Sequence, residues 1–389
     1  MCVNADSTTL VCNKLTLGGL ILPIVSEYKY LGLMFCSSLS ASTTISYRRL
    51  SGSKLLSSLY PFLSNSSSPF CMKLDLIRNI LLPVLSFGCE FFGMYPSLSA
   101  PLDKLLKKAI TLSLRGWGPT SSCLPVLCSE LNLFSVEDCG VAARVRAYRK
   151  YRICKTFMRF LIREPFVSRS LTWVSKSIRY INQTGIKKES PKTIKLEYQS
   201  QSLAEFASNN YTSALWYSSS AFLHSRNYIK SFVKYCCSDS SCASLEPGLV
   251  GLILARCGGL SLGHHFARMC AIPEKFLETC PCCEAPVRES LYHLFFVCSA
   301  WSSFRSRFLA PIIRLLPFDL VPTERVMVLL GGKLSSQFSL GKRWYSFNKK
   351  SKKDPMFILV TRFLAGIRGP RLRLLRRWSG QTLSQGPTG

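Results

Sequence analysis

The sequence predicts a mainly α-helical protein with a short β segment at its N-terminus and a small, zinc-stabilised helical module towards its C-terminus. Three observations carry this. Strand-like patterning ends by residue 36, amphipathic stretches of helical period recur after it, and four Cys/His residues with metal-ligand spacing fall within residues 280–298. A hydrophobic content of 47% over 389 residues is enough for real cores and for two or three domains.

In residues 1–36, LTLGGLILPI and EYKYLGLMF are rich in β-branched, aromatic and leucine residues, with Gly-Gly between the two phases of the first. Residues 37–180 read as a helical domain. SYRRLSGSKLLSSLYPFL places basic residues opposite a leucine/tyrosine stripe, and NSSSP breaks the pattern at residues 65–69. Residues 72–86 read as an apolar, buried helix, and residues 101–114 as a shorter helix exposing Lys104, Lys107 and Lys108. In residues 141–163, Val141, Val145, Tyr148, Cys154 and Phe157 or Met158 are expected to face a core, leaving Arg152, Lys155, Arg159 and Arg163 as a basic stripe.

The polar KKESPK run marks residues 181–195 as a linker. Residues 196–310 form a second helical domain, helical from 196 to 236. GLVGLILARCGGLSLG follows, with neither a dinucleotide fingerprint nor a P-loop lysine, and reads as tight helix packing and turns. Residues 311–389 are a basic C-terminal region.

Charge narrows the function. Fifty Lys/Arg stand against 21 Asp/Glu, a formal net charge of +29, and a polyanionic partner is the simplest account of that imbalance. Eight basic residues between 144 and 163 meet no acid, and residues 342–377 carry twelve Lys/Arg against Asp354 alone. Lys349, Lys350, Lys352, Lys353, Arg371, Arg373, Arg376 and Arg377 are candidate phosphate contacts, with Trp344, Tyr345, Phe347 and Trp378 as stacking partners. No apolar run is long enough to predict a spanning helix, although the same mixture of residues suits an anionic membrane surface. The N-terminus lacks the basic-then-apolar order of a secretory signal, and the eighteen cysteines lie scattered in long apolar segments, so an intracellular, reducing location in nucleus or cytoplasm is expected.

Cys280 and Cys283 form a C-x2-C turn, and His293 and Cys298 follow after nine residues. Four soft or borderline donors make a closed site for one structural zinc ion, with Cys282 as an alternative to Cys283. His224, His264 and His265 have no comparable constellation and read as satisfied or surface histidines. Asp103, Asp239 and Asp319 stand alone, so no paired-carboxylate centre is expected.

Taken in order, these pieces resemble the carboxy-terminal part of a non-LTR (LINE-type) retrotransposon reverse transcriptase. EYKYLGL is similar to the family's KYLG signature at the palm–thumb junction, and VNADSTTLV to the segment after its catalytic motifs, with Asp6 leading directly into Ser7 where the family has a lysine. LLPVLSFGCEFFG resembles its helix ending in Gly-x-Glu. CPCC…ESLYH…C, continued by Trp301 and Arg305, resembles its Cys/His motif, with Cys280, Cys283, His293 and Cys298 at the ligand positions.

The resemblance implies a palm-edge remnant over residues 1–36, thumb-like helices after it, and a role in target-primed reverse transcription when joined to an intact palm. RNA, DNA and a complete reverse transcriptase of the same element are then the expected partners. Lys29, Arg48 and Arg49 would contact primer–template backbone, with the stripe from Arg152 to Arg163 extending the track. No Asp-Asp pair occurs in the sequence, so the chain is expected to be a non-catalytic, fragmentary product. The alternative is a structural or interaction protein, from a degenerate reading frame, without nucleic-acid function.

Overall fold

The computed structural model describes residues 16–21, 25–38, 40–92, 96–114, 124–163, 172–184, 190–209, 244–316, 320–331 and 355–380. The expectations for Val3–Val11 and for Lys349, Lys350, Lys352 and Lys353 lie outside them. The described residues are mainly helical, with two short hairpins near the N-terminus.

Strands β1 (Thr16–Leu17) and β2 (Leu20–Ile21) pair antiparallel, as do β3 (Glu27–Tyr30) and β4 (Leu33–Cys36), with Glu27 opposite Cys36 and Tyr30 opposite Leu33. The second hairpin turns through Leu31 and Gly32, at φ of 45° and 83°. Positive φ at both central residues gives the twist that a two-residue hairpin needs, and only glycine accepts it without steric cost.

The helices are α1 (Ala41–Ser64), α2 (Phe70–Leu76), α3 (Leu82–Ser86), α4 (Cys89–Phe92), α5 (Pro96–Ser113), α6 (Leu124–Leu131), α7 (Val136–Ile153), α8 (Phe157–Arg163), α9 (Trp173–Thr184), α10 (Pro191–Asn209), α11 (Glu246–Arg256), α12 (Gly263–Arg268), α13 (Ser302–Phe308), α14 (Ala310–Ile313), α15 (Pro322–Leu329) and α16 (Pro355–Ser379). A π turn, Ile77–Leu81, joins α2 to α3, so the expected apolar helix over 72–86 is present with one widened turn. Pro83 follows immediately, and widening relieves the clash of its ring with the preceding turn. Residues 181–195, read as a linker, are the end of α9 and the start of α10, apart from 185–189, which lie outside the described residues.

The chain divides into two compact units. Unit one comprises residues 1–61, 75–109 and 134–201, and unit two residues 62–74, 110–133 and 202–389. In unit one, α1 holds the β3–β4 hairpin through the Thr44 hydroxyl, which donates to the Met34 carbonyl, and the Arg48 guanidinium, which donates to that of Gly32. Val141, Ala142 and Val145 of α7 pack on Ile194 of α10, with Tyr180, Ile181 and Tyr198 around them.

The apolar face of α7 behaves as expected for Val141, Val145 and Tyr148, all buried. It does not continue. The helix stops at Ile153, Cys154 is extended, and α8 starts in a new direction, leaving Phe157 71% exposed. A helical stripe counted through a break loses its phase.

In unit two, α11 packs along α16 closely enough that a Cβ on Gly248 would lie 1.9 Å from the Thr361 carbonyl oxygen, which explains a glycine inside that helix. Arg256 at the end of α11 is fully buried. It donates from Nε and Nη2 to the two carboxylate oxygens of Glu130, at 3.0 and 3.2 Å, and from Nη1 to the Leu330 carbonyl. Among the described residues no helix is long and apolar enough to cross a membrane.

Candidate metal centre

Residues 280–285 form a tight turn. The Glu284 N–H donates to the Cys280 carbonyl at 2.9 Å, and the Cys280 N–H donates to the Ala285 carbonyl at 3.0 Å. Closing it requires Glu284 to adopt φ of 55°, in the left-handed region. The turn brings Cys280 and Cys283 to one side.

His293 and Cys298 come from a different device. Five residues along an α-helix two side chains point about 140° apart. Here the segment His293–Val297 is a π turn, and the Cys298 N–H donates to the His293 carbonyl at 2.7 Å. The extra residue in that turn lets both side chains reach the same point. Arg305 of α13 donates to the Cys298 carbonyl at 2.7 Å and fixes the exit.

The ligand atoms of Cys280, Cys283, His293 and Cys298 all lie within 4.8 Å of one another. Cys280 Sγ and Cys298 Sγ are 4.0 Å apart, and Cys283 Sγ is 3.3 Å from His293 Nε2. A tetrahedral ion with metal–sulfur bonds of ~2.3 Å and metal–nitrogen bonds of ~2.05 Å separates its ligands by about 3.8 Å (S···S) and 3.5 Å (S···N). A disulfide would need about 2.05 Å. The residues therefore fit a metal ion, and the four can hold one. Three are buried and Cys283 is partly so.

Electrostatics support that fit. Hydrogen bonds from the Cys282 and Cys298 thiols pull the Cys280 thiol far below its ordinary range, and the same bonds push those two thiols far above theirs. Metal binding displaces the protons of thiols crowded in this way and replaces them with one shared cation. The His293 ring is buried, and its Nδ1 has no hydrogen-bond partner among the described residues, so its polar anchor is the cluster its Nε2 faces.

Cys282, left open by spacing, lies against Cys280 and falls outside the grouping with His293 and Cys298. It groups with Cys280 and Glu289, and Glu289 is already engaged. That carboxylate, fully buried, accepts from Arg371 Nη2 at 3.0 Å and Nε at 3.2 Å, and from the Gly263 N–H. Arg371 Nη2 also donates to the Ser261 carbonyl at 2.8 Å. A Cβ on Gly263 would sit 2.6 Å from Pro281, so α12 abuts the Cys280–Ala285 turn. Trp378 donates its indole N–H to the Pro281 carbonyl at 3.0 Å. The C-terminal helix thus holds the turn at Pro281 and the flanking segments at Glu289 and Ser261, a role that composition alone did not reveal. The neighbouring His264 is buried with Nδ1 3.2 Å from the Glu289 carbonyl, and burial, then His265, lowers its pKa to about 4.

The basic residues separate into two groups. Lys29, Arg49, Arg152, Lys155, Arg373, Arg376 and Arg377 are exposed, and Arg159 is partly so; Arg163 ends α8. Arg371 and Arg48, placed by sequence among the phosphate contacts, are instead enclosed, at 1% and 9% exposure. Arg371 has its carboxylate partner inside the fold. Arg48 has the Gly32 carbonyl, and its guanidinium carbon lies 4.4 Å from the Phe87 ring centroid. Neither presents a free guanidinium to a phosphate in this conformation.

Together the fold and the cluster define a mainly helical protein whose C-terminal unit carries a Cys/Cys/His/Cys group able to hold a metal ion. Comparison with protein families, with characterised proteins and with solved structures found no match.

Proposed function

We propose that the chain is a nucleic-acid-binding module similar to the carboxy-terminal part of a non-LTR retrotransposon reverse transcriptase, with one structural zinc ion on Cys280, Cys283, His293 and Cys298. The observation that carries it is the convergence of those four ligand atoms within 4.8 Å. Thiolate and imidazole donors in tetrahedral spacing suit zinc, and four protein ligands leave no open position, so the ion stabilises structure and does no chemistry.

The net charge of +29 and the exposed Lys29, Arg49, Arg152, Lys155, Arg373, Arg376 and Arg377 support phosphate contact. On this reading the palm-edge hairpin and thumb-like helices help hold template RNA and target DNA, and polymerisation depends on catalytic carboxylates supplied by a complete reverse transcriptase.

A specific observation favours a second reading, a structural or interaction protein without nucleic-acid function. Arg48, Arg144, Arg256 and Arg371 are all drawn into the fold, so part of the basic excess serves packing.

One experiment separates the two. The full chain is purified, its metal content measured, and its binding to single-stranded RNA and duplex DNA followed across a salt series. The zinc reading expects about one ion per chain, lost in Cys280→Ser and His293→Ala. The nucleic-acid reading expects affinity to fall at least tenfold between about 50 and 200 mM salt. No zinc removes the first, and weak, salt-independent binding removes the second.

A further inference from the structure

Within unit two a cleft of about 550 Å³ opens between residues 267–277 and the C-terminal end of α16. That size falls in the ~300–1,000 Å³ range of ordinary small-ligand sites. Ile272, Leu277 and Trp378 supply apolar walls, and Arg268 and Glu274 polar ones. Trp378 is held firmly, by its bond to Pro281 and by Phe276, whose ring centroid is 5.0 Å away. Lys275 Nζ rests 4.5 Å from the indole centroid and the Arg377 guanidinium carbon 5.9 Å from it. The cleft is therefore a fixed aromatic wall flanked by three cations, with one carboxylate among its lining residues. None of its lining residues is a metal ligand.

We propose that this cleft receives a single unstacked base of a single-stranded nucleic acid. The base lies against Trp378, the flanking phosphates meet Arg268 and Lys275, and Glu274 accepts from an amino group on the base edge. The proposal rests on the nucleic-acid reading above and names the form of nucleic acid taken. A duplex cannot enter a cleft of this volume, whereas every base offers a π face to an aromatic wall. Lys275 already occupies a π position, and its flexible chain can exchange the indole for a phosphate as the base arrives.

The test uses the full chain with a thiouridine-containing single-stranded RNA and a duplex DNA of equal length. Photocrosslinks are expected within residues 267–277 or at Trp378. Ala271→Phe fills the cleft, and Arg268→Glu reverses an exposed charge without touching the core. Each is expected to weaken single-strand binding about tenfold and leave duplex binding within twofold. Metal content and melting temperature, unchanged from the parent, show that each variant is folded. RNA binding that persists with crosslinks elsewhere, and with neither substitution weakening it, assigns the cleft to another occupant and overturns the proposal alone. Failure of the parent chain to bind either nucleic acid overturns the nucleic-acid reading and this proposal with it.

Discussion

At the N-terminal end of α7, one buried and one half-buried carboxylate meet backbone N–H groups; beside the Cys280–Ala285 turn, a buried carboxylate meets an arginine. In unit one, Asp138 accepts from the Ser135 N–H at 2.7 Å while the Ser135 hydroxyl accepts from the Asp138 N–H at 3.0 Å, and Asp103 accepts from the Val136 N–H at 2.7 Å. In unit two, Glu289 is neutralised by Arg371 and Glu130 by Arg256. The first arrangement relies largely on neighbours along the chain. The second joins residues 82 and 126 positions apart. A charge held by local caps fails locally, and a charge held by a distant partner takes two elements with it.

The largest effect expected from that difference is at Arg371. Replacing it by alanine leaves Glu289 buried and unpaired, which costs on the order of 3–5 kcal/mol. The neighbouring Arg373→Ala on the exposed face of α16 should change stability by less than about 0.5 kcal/mol. Urea unfolding of the full chain at saturating zinc measures both. The double replacement Arg371→Met with Glu289→Gln should recover most of the loss, because glutamine still accepts from Gly263 and no charge is stranded. A double variant as unstable as Arg371→Ala would mean that the ion pair is not what the clamp depends on.

The same contrast explains what was legible in the sequence. Cys280, Cys283, His293 and Cys298 lie within nineteen consecutive residues, so their spacing pointed to a metal-type cluster while leaving Cys282 and Cys283 as alternatives, and in the structure it is Cys283 that groups with His293. Ser135 and Asp138 stand in S-x-x-D order before an apolar-periodic stretch, a capping signal in the sequence that marks the α7 start. Nothing near Arg371 announces Glu289. In a chain with 50 Lys/Arg, an arginine inside a basic run looks like its neighbours until the fold brings a carboxylate to it. Helical content was readable from periodicity, but the break at Cys154 was not, since its flanks keep the same composition on both sides.

A smaller effect, of opposite sign to the usual carboxylate, is expected at the α7 end. Burial raises Asp103 from 3.8 to about 7 and Asp138 from 3.8 to about 6, against the hydrogen bonds and in the same direction as their acidic neighbours. Between pH 4 and 7 the folded state keeps a proton on Asp103 that the unfolded chain has released. Stability therefore falls as pH rises through that window and levels off above it. At about 1.4 kcal/mol per pKa unit the decline from Asp103 over the whole window is up to about 4 kcal/mol. Asp103→Asn keeps an acceptor for Val136 and carries no charge. It should melt above the parent at pH 8, with the gap narrowing as pH falls and closing near pH 4, and with the metal contribution cancelling in the difference. An Asn variant whose offset from the parent does not change with pH would show that Asp103 is ionised in the fold throughout.

The smallest effect sharpens the local side of the comparison, inside the Cys280–Ala285 turn itself. Glu284 is exposed, and its strain lies in the backbone at φ of 55°. A side chain in the left-handed region costs roughly 1–2 kcal/mol, and glycine avoids that cost while giving back part of it as unfolded-state entropy. Glu284→Gly should therefore stabilise the chain by about 0.5–1 kcal/mol, and Glu284→Val should destabilise it, since a β-branched residue tolerates this conformation least. Both effects should survive in the metal-free protein if the turn forms through its own two backbone hydrogen bonds. If they appear only with metal bound, the ion closes the turn and the backbone follows, which makes the four ligands the organisers of this part of unit two and the clamp from α16 a later addition to it.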